Sequence, residues 1–496
     1  AGLRREIESV RALGSEDPAD PPPPLVPKEL RVDSVAVLPF QNLSPAPENE
    51  YFSDGLTDDI LAAVARIRDL RVLSRTSVMR YKGTRVSLPH IAAELGVATF
   101  VSGSVRRSGS RIRVVAEVVD ARTDSHLWSE TYDREIDNIF QIQSEVAASV
   151  ARAVRRELSP AERDRIAASG TTNGEAYDLY LRARHLWSRR NEASLAESLG
   201  FFERALQVDP EFALAHAGRA DALTILGIYG ARAPHEALAG AKLAAERALF
   251  LEPTLGEALT SLACVQAVYD WDWVAAEARF RQALEAAPSY ATAHQWYAMN
   301  LLAPQGRFEE ARAQLSMAED LDPDSPAILA SRGIVSFYAG DHARAVERLD
   351  GVARSAPGFG LAHSFMGQAC EAMGDLPGAV ECTRRAVEIS GDTSETLAAH
   401  AHALFRAGRH EEAAAIRTRL EARATRRYVS PVLLAQVALD TEPETALGHL
   451  EAAADARATD LIWLGLRPIY EPLRETDRFK AVLARVGTGA AGPRSG

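Results

Sequence analysis

The chain has 496 residues, 47% of them hydrophobic and 25% charged, which is too long for one hydrophobic core and too ordinary in composition for a disordered or collagenous protein. Its formal charge of −12 excludes the chain-wide basic footprint of a nucleic-acid binder. Three cysteines, Cys264, Cys370 and Cys382, exclude a disulfide scaffold or a cysteine-rich zinc module, and no apolar run of about 18 residues is present to span a bilayer.

Leu3, Ile7 and Val10 recur at helical spacing among charged residues and predict a helix over Ala1–Leu13, read as the end of an upstream unit. Five prolines between Pro21 and Pro27 follow, so residues 1–33 are expected to be a charged helix and an extended linker. The apolar run Val35–Leu38 predicts a buried strand. Leu56, Ile60, Leu61, Val64 and Ile67 predict a helix over Asp54–Ile67 capped by Ser53. A strand over Leu70–Ser74, a helix over Leu88–Leu95 ended by Gly96 and a strand over Thr99–Val105 come next. Turns at Ser108–Ser110 and Thr123–Asp124 then separate strands at Ile112–Val119 and His126–Tyr132, and Phe140–Leu158 closes the unit as an amphipathic helix. Helices alternating with strands early and hairpins late predict a mixed-sheet α/β domain over 34–160.

Beyond about residue 170 strand signals stop. Pro210, Pro253, Pro288, Pro323 and Pro357 recur at 43, 35, 35 and 34 residues, and a period near 34 marks stacked helical pairs. Gly333 and Gly340, then Gly367 and Gly374, fall where a pair needs close helix approach and a tight turn. The expected fold class is therefore α/β plus all-α: a mixed-sheet domain joined to an α-solenoid over 171–425, a helical cap over 426–488 and a disordered tail over 489–496.

The repeats resemble tetratricopeptide repeats, about seven counting degenerate ends, with an insertion around Tyr229–Pro234. Val35–Phe40, Asn42–Ser44, Tyr51–Leu56, Gly103–Arg106 and His126–Trp128 make residues 34–158 resemble the TolB N-terminal-like domain. The segments Tyr269–Trp273 and His294–Ala298 resemble the repeats found beside that domain. This resemblance implies a regulatory or interaction region, carried in different relatives by a kinase, a nucleotide cyclase or a DNA-binding winged helix.

No phosphate-binding loop, HExxH, CxxC, GxSxG or kinase signature occurs in the sequence. His294 and His363 take the repeat position that packs between helices and are read as core, while His400 and His402, two apart on a helix, do not share a face; neither a metal nor any other cofactor is assigned. The turn Trp271–Trp273 is read as sealed by aromatic packing against the next repeat. Between Arg66 and Arg113 eleven basic residues stand against two acidic ones. Arg75, Arg80, Lys82, Arg106 and Arg107 are the candidate anion surface; the competing reading is a solvated sheet edge plus contacts to the repeats, which carry −10 from residue 161 onward. The first helices of the pairs nominate a partner groove at Tyr269, Gln295, Met299, Phe337, Tyr338, Gln368 and Glu371, with packing between repeats as the alternative.

The sequence thus predicts a non-enzymatic interaction and regulatory module that binds a protein or peptide, with self-association as a further option, no nucleic acid, and a cytoplasmic location, or a periplasmic one if an upstream anchor exists. The alternatives are the regulatory arm of a Ser/Thr kinase or other signalling enzyme, and a small-ligand sensor acting through the basic face of the N-terminal domain.

Overall fold

The computed structural model describes residues 30–44, 49–67, 69–84, 86–154, 170–189 and 191–488; the expected N-terminal helix, most of the linker and the C-terminal tail lie outside them. The N-terminal unit is a mixed sheet of β1 (Arg31–Val37), β2 (Gln41–Asn42), β3 (Arg71–Val72), β4 (Val97–Ser108), β5 (Arg111–Asp120) and β6 (Ser125–Glu135). Its order is β3-β1-β4-β5-β6, with β2 also pairing β4. Val35, Ala36 and Val37 have no exposed surface, which is why β1 lies inside the sheet, parallel to both β3 and β4. β4, β5 and β6 form the expected antiparallel meander, turned at Gly109, whose φ is +63°. The helices Glu50–Ala65 and Ile139–Ala153 supply the apolar cover.

Two local expectations are corrected. Ser53 is not a cap: the helix begins at Glu50, and the Ser53 hydroxyl donates back to the Glu50 carbonyl at 2.9 Å. The strand expected over Leu70–Ser74 shrinks to two residues, because Ser74 opens the short helix Arg75–Met79 and turns its N–H to the Leu321 carbonyl at 2.8 Å.

Seven helical pairs follow among the described residues, from Gly174–Trp187 with Glu192–Val208 to Ser394–Arg406 with His410–Ala424. At Gly333 a Cβ would stand 2.6 Å from Leu349, so only glycine permits that approach. Gly340 turns between helices at φ +86°, and the next residue, Asp341, caps the second helix through the Arg344 N–H at 3.2 Å. The chain ends in the helices Pro431–Ala438 and Pro443–Asp455, two 3₁₀ turns at Thr459–Leu466 and Pro468–Leu473, and the helix Asp477–Val486. No described helix is long and apolar enough to cross a membrane.

The solenoid does not stand free. Its early repeats hold the N-terminal domain: Ser289 Oγ donates to the Leu70 carbonyl at 2.8 Å, Arg71 reaches the Asp320 carbonyl at 2.6 Å, and the Tyr177 hydroxyl donates to buried Asp59 at 2.7 Å. Its far end turns back to the third pair. Arg457 lies 4.3 Å over the Trp271 ring and donates to the Tyr269 and Asp270 carbonyls, while Trp273 Nε1 donates to the Val486 carbonyl at 2.9 Å. Trp271–Trp273 is therefore sealed against the C-terminal segment and not, as expected, against the next repeat. One apolar cluster runs from Val35 through Tyr177 and Phe280 to Phe479, so the array closes into a ring.

A candidate binding cavity inside the ring

The first helix of each pair faces inward, where a peptide groove is expected, but the N-terminal domain and the C-terminal turns occupy much of that space. They leave a cavity of about 840 Å³. Asp58, Ala62 and Arg75 wall it from the N-terminal domain, Trp187, Ile228, Trp296 and Met299 from the repeats, and Asp460, Trp463 and Arg467 from the C-terminal turns.

Repeat length explains part of this wall. The two 35-residue intervals are the ones whose first helix ends in a π turn, at Gln266–Asp270 and Ala298–Leu302, whereas the 34-residue interval after Pro323 has none. The added residue is absorbed as an i→i+5 turn, a distortion that recurs at functional sites. Here it sets Val268, Met299 and Asn300 on the cavity surface. The signal was present in the spacing, but only the folded helix shows where the extra residue goes.

Charged side chains line the cavity from every part of the chain, among them Asp58, Arg75, Glu257 and Asp322. Arg184 lies 4.6 Å over Trp187 and 4.0 Å from Asp221. Among the C-terminal turns, Arg467 Nε is buried without a hydrogen-bond partner and no carboxylate lies within 4.0 Å of its guanidinium among the described residues, while the Tyr338 and Tyr470 hydroxyls hydrogen-bond it. Asp460 is held by Ser430, whose hydroxyl lies 3.0 Å from both carboxylate oxygens. Burial pushes the Asp460 and Glu395 carboxyls upward, against the pull of Arg467.

Of the nominated groove residues, Gln295, Met299 and Tyr338 reach the cavity, and Gln295 is oriented by its hydrogen bond to Ser331 at 3.1 Å. Tyr338 is only 5% exposed and stacks on Trp463 at 4.4 Å between ring centres. Phe337, 2% exposed, packs among Tyr338, His342 and Phe365 and is core. Tyr269 packs beside the Trp271 turn, Gln368 is half-buried, and Glu371 accepts from His402 at 2.9 Å.

The nominated basic residues do not share one face. Arg75 pairs with Asp58, Lys82 with Asp54 and Glu50, Arg80 with Glu94 and Asp324, and Arg107 with Asp178, while Arg106 donates to the Leu43 carbonyl. Arg106 and Arg107 alternate on β4 while Arg75, Arg80 and Lys82 lie on and just after the helix Arg75–Met79, and among the described residues carboxylates of the same domain and of the repeats neutralise all but Arg106. His294 is 7% exposed and bonded to Gln314 and the Pro288 carbonyl, and His400 to Thr383. His402 lies between Glu371 and Asp440; its 3.0 Å approach to Asp440 is an ion pair too bent to be a hydrogen bond.

Antiparallel helical pairs at a period of 34–35, with close-approach glycines and capped turns, are now joined by a family match: a tetratricopeptide-repeat model fits residues 271–333. The solenoid is a tetratricopeptide-repeat array. Residues 31–149 match the model for the second domain of HilA/YgeH-like transcriptional regulators. A 199-residue stretch is 41% identical to putative adenylate cyclase 3 of Rhizobium meliloti (strain 1021), covering 40% of this chain and 33% of that protein. The chain thus matches about a third of the length of this curated relative. Similar solved structures include that of Pseudomonas aeruginosa pilF, at 20% identity over 42% of this chain and 92% of that one, with a TM-score of 0.32. A tetratricopeptide repeat protein from Parabacteroides merdae ATCC 43184 is similar at 14% identity, over 53% and 99% of the two chains, with a TM-score of 0.39.

Proposed function

We propose that this chain is a non-catalytic interaction and regulatory module of a bacterial signalling protein, whose solenoid binds a protein or peptide partner. The observation that carries this reading is the architecture: a repeat array of the kind that presents extended binding surfaces, fixed to an α/β domain through hydrogen bonds at Asp59, Leu70 and Arg71. A division into units at 34–160, 171–425 and 426–488, a TolB-like character for the first, a cytoplasmic location and self-association all belong to the proposal. The test uses the full chain. A partner obtained by affinity capture is purified and titrated back, with saturable binding expected and no turnover of ATP or GTP; robust nucleotide turnover without any saturable partner overturns the reading.

A second reading makes the chain the regulatory arm of a signalling enzyme, a Ser/Thr kinase or a nucleotide cyclase. The 41% identical stretch supports it, because the relative's name denotes an enzyme and the match covers only 33% of that protein. The coding sequence upstream of Ala1 tests it: an in-frame catalytic domain is expected, and an unrelated winged helix or a stop codon there removes it.

A further inference from the structure

The cavity inside the ring has the size of a small-molecule site, about 840 Å³ against the roughly 300–1,000 Å³ typical of such sites. The N-terminal domain and the C-terminal turns stand against the solenoid's inner face and narrow it to this cavity. The wall is rich in aromatic rings from distant parts of the chain, among them Trp187, Tyr229, Trp296, Phe365 and Trp463. Beside these rings stands Arg467, whose guanidinium is hydrogen-bonded by the Tyr338 and Tyr470 hydroxyls but whose Nε is buried without a partner and has no carboxylate at ion-pair distance. An unsatisfied charged donor in such a place costs free energy unless something else supplies the acceptor.

We infer that the cavity binds a small organic anion, with a carboxylate or phosphate head on Arg467 and an aromatic or aliphatic body among Trp296, Met299 and Trp463. A planar guanidinium suits both heads, since each presents two oxygens to its fork of N–H donors. The carboxyls nearest to it, Asp460 and Glu395, are both pushed toward neutrality by burial, and Asp460 is additionally held by Ser430. The π turns at Gln266–Asp270 and Ala298–Leu302 lie side by side on the same wall, which is where a repeat array departs from regularity to shape a pocket. The inference goes beyond partner binding and does not rest on it: the outer surface of the array can serve a partner whether or not the cavity is filled.

The test titrates phenylacetate, octanoate and phenyl phosphate into the full chain by calorimetry and by shift of the melting temperature. Phenethylamine and octylamine serve as counterparts with the opposite charge. At least one anion is expected to bind and stabilise, with its amine counterpart weaker by about tenfold or more. Comparison of the carboxylates with phenyl phosphate identifies the head. Arg467→Gln is expected to lower affinity for the anion by about tenfold. Because that substitution touches a buried group, Met299→Trp is the second variant; it crowds the part of the cavity assigned to the ligand's body, leaves Arg467 in place and is expected to weaken binding by about tenfold. The inference is overturned if none of the three anions binds at about 1 mM, if the amines bind as tightly, or if the folded Met299→Trp chain binds as well as the parent.

Discussion

Phe337 and Met299 occupy inward-facing first helices of adjacent repeats but differ in what surrounds them. Phe337 is closed in by three rings, so truncation to alanine leaves a cavity, and a loss of about 3–5 kcal/mol is expected in chemical denaturation with no selective loss of partner binding. His402 carries a different signature. Burial draws its pKa down, but Asp440 and Glu371 outweigh that and raise it to about 9. A raised histidine contributes stability that is fully present below its unfolded value near 6.5 and is lost as pH rises through about 9. The melting-temperature advantage of the parent over His402→Gln is therefore expected to shrink between pH 7 and pH 10; an advantage independent of pH in that window contradicts a charged His402.

At the scale of elements, the turn at Trp271 is the most informative. Gly340 and Gly374 hold positive φ immediately before the capping residues Asp341 and Asp375, and Trp271 holds φ +59° immediately before the capping residue Asp272. A tryptophan there pays about 1 kcal/mol in backbone strain that glycine avoids. Its return is the stack under Arg457 and the two carbonyls its turn presents to that side chain. Trp271→Gly is expected to relieve the strain and still destabilise the chain, by about 1–2 kcal/mol net. A double-mutant cycle with Arg457→Ala should show a coupling of about 0.5 kcal/mol or more, measured by denaturation. Independent effects of the two substitutions would mean that the C-terminal segment is held by other contacts.

At the scale of the molecule, the junction between the sheet domain and the array is built on buried carboxyls. Burial raises Asp59, hydrogen-bonded to Tyr177 and Gln143, to about 7, and it raises Glu252, 3.5 Å from Arg66, to about 7. The folded state thus holds protons that the unfolded chain releases near pH 4, so these groups lower stability progressively as pH rises from about 4 through 7. Asp59→Asn removes its share: the parent is expected to lose melting temperature relative to the variant between pH 4.5 and pH 7.5, and parallel curves would contradict the assignment.

The sequence by itself determined the element types and their order, because those follow from local rules. Val35–Val37 form the inner strand that their apolar run predicts, Gly96 ends its helix as expected, and glycine positions 34 residues apart mark the helical pairs. It also carried the repeat period whose extra residue becomes a π turn. What only the tertiary structure decided is which surfaces remain open. Arg457 meets Trp271 across a sequence separation no periodicity encodes, and Tyr338 meets Trp463 in the same way. Closure through these contacts narrows the inner face from a groove into a cavity, and it brings Arg467, unremarkable in the sequence, onto a wall shared with aromatic rings and several other charged groups. Local spacing sets helices and turns; the balance of buried area and paired charge between distant segments sets the site.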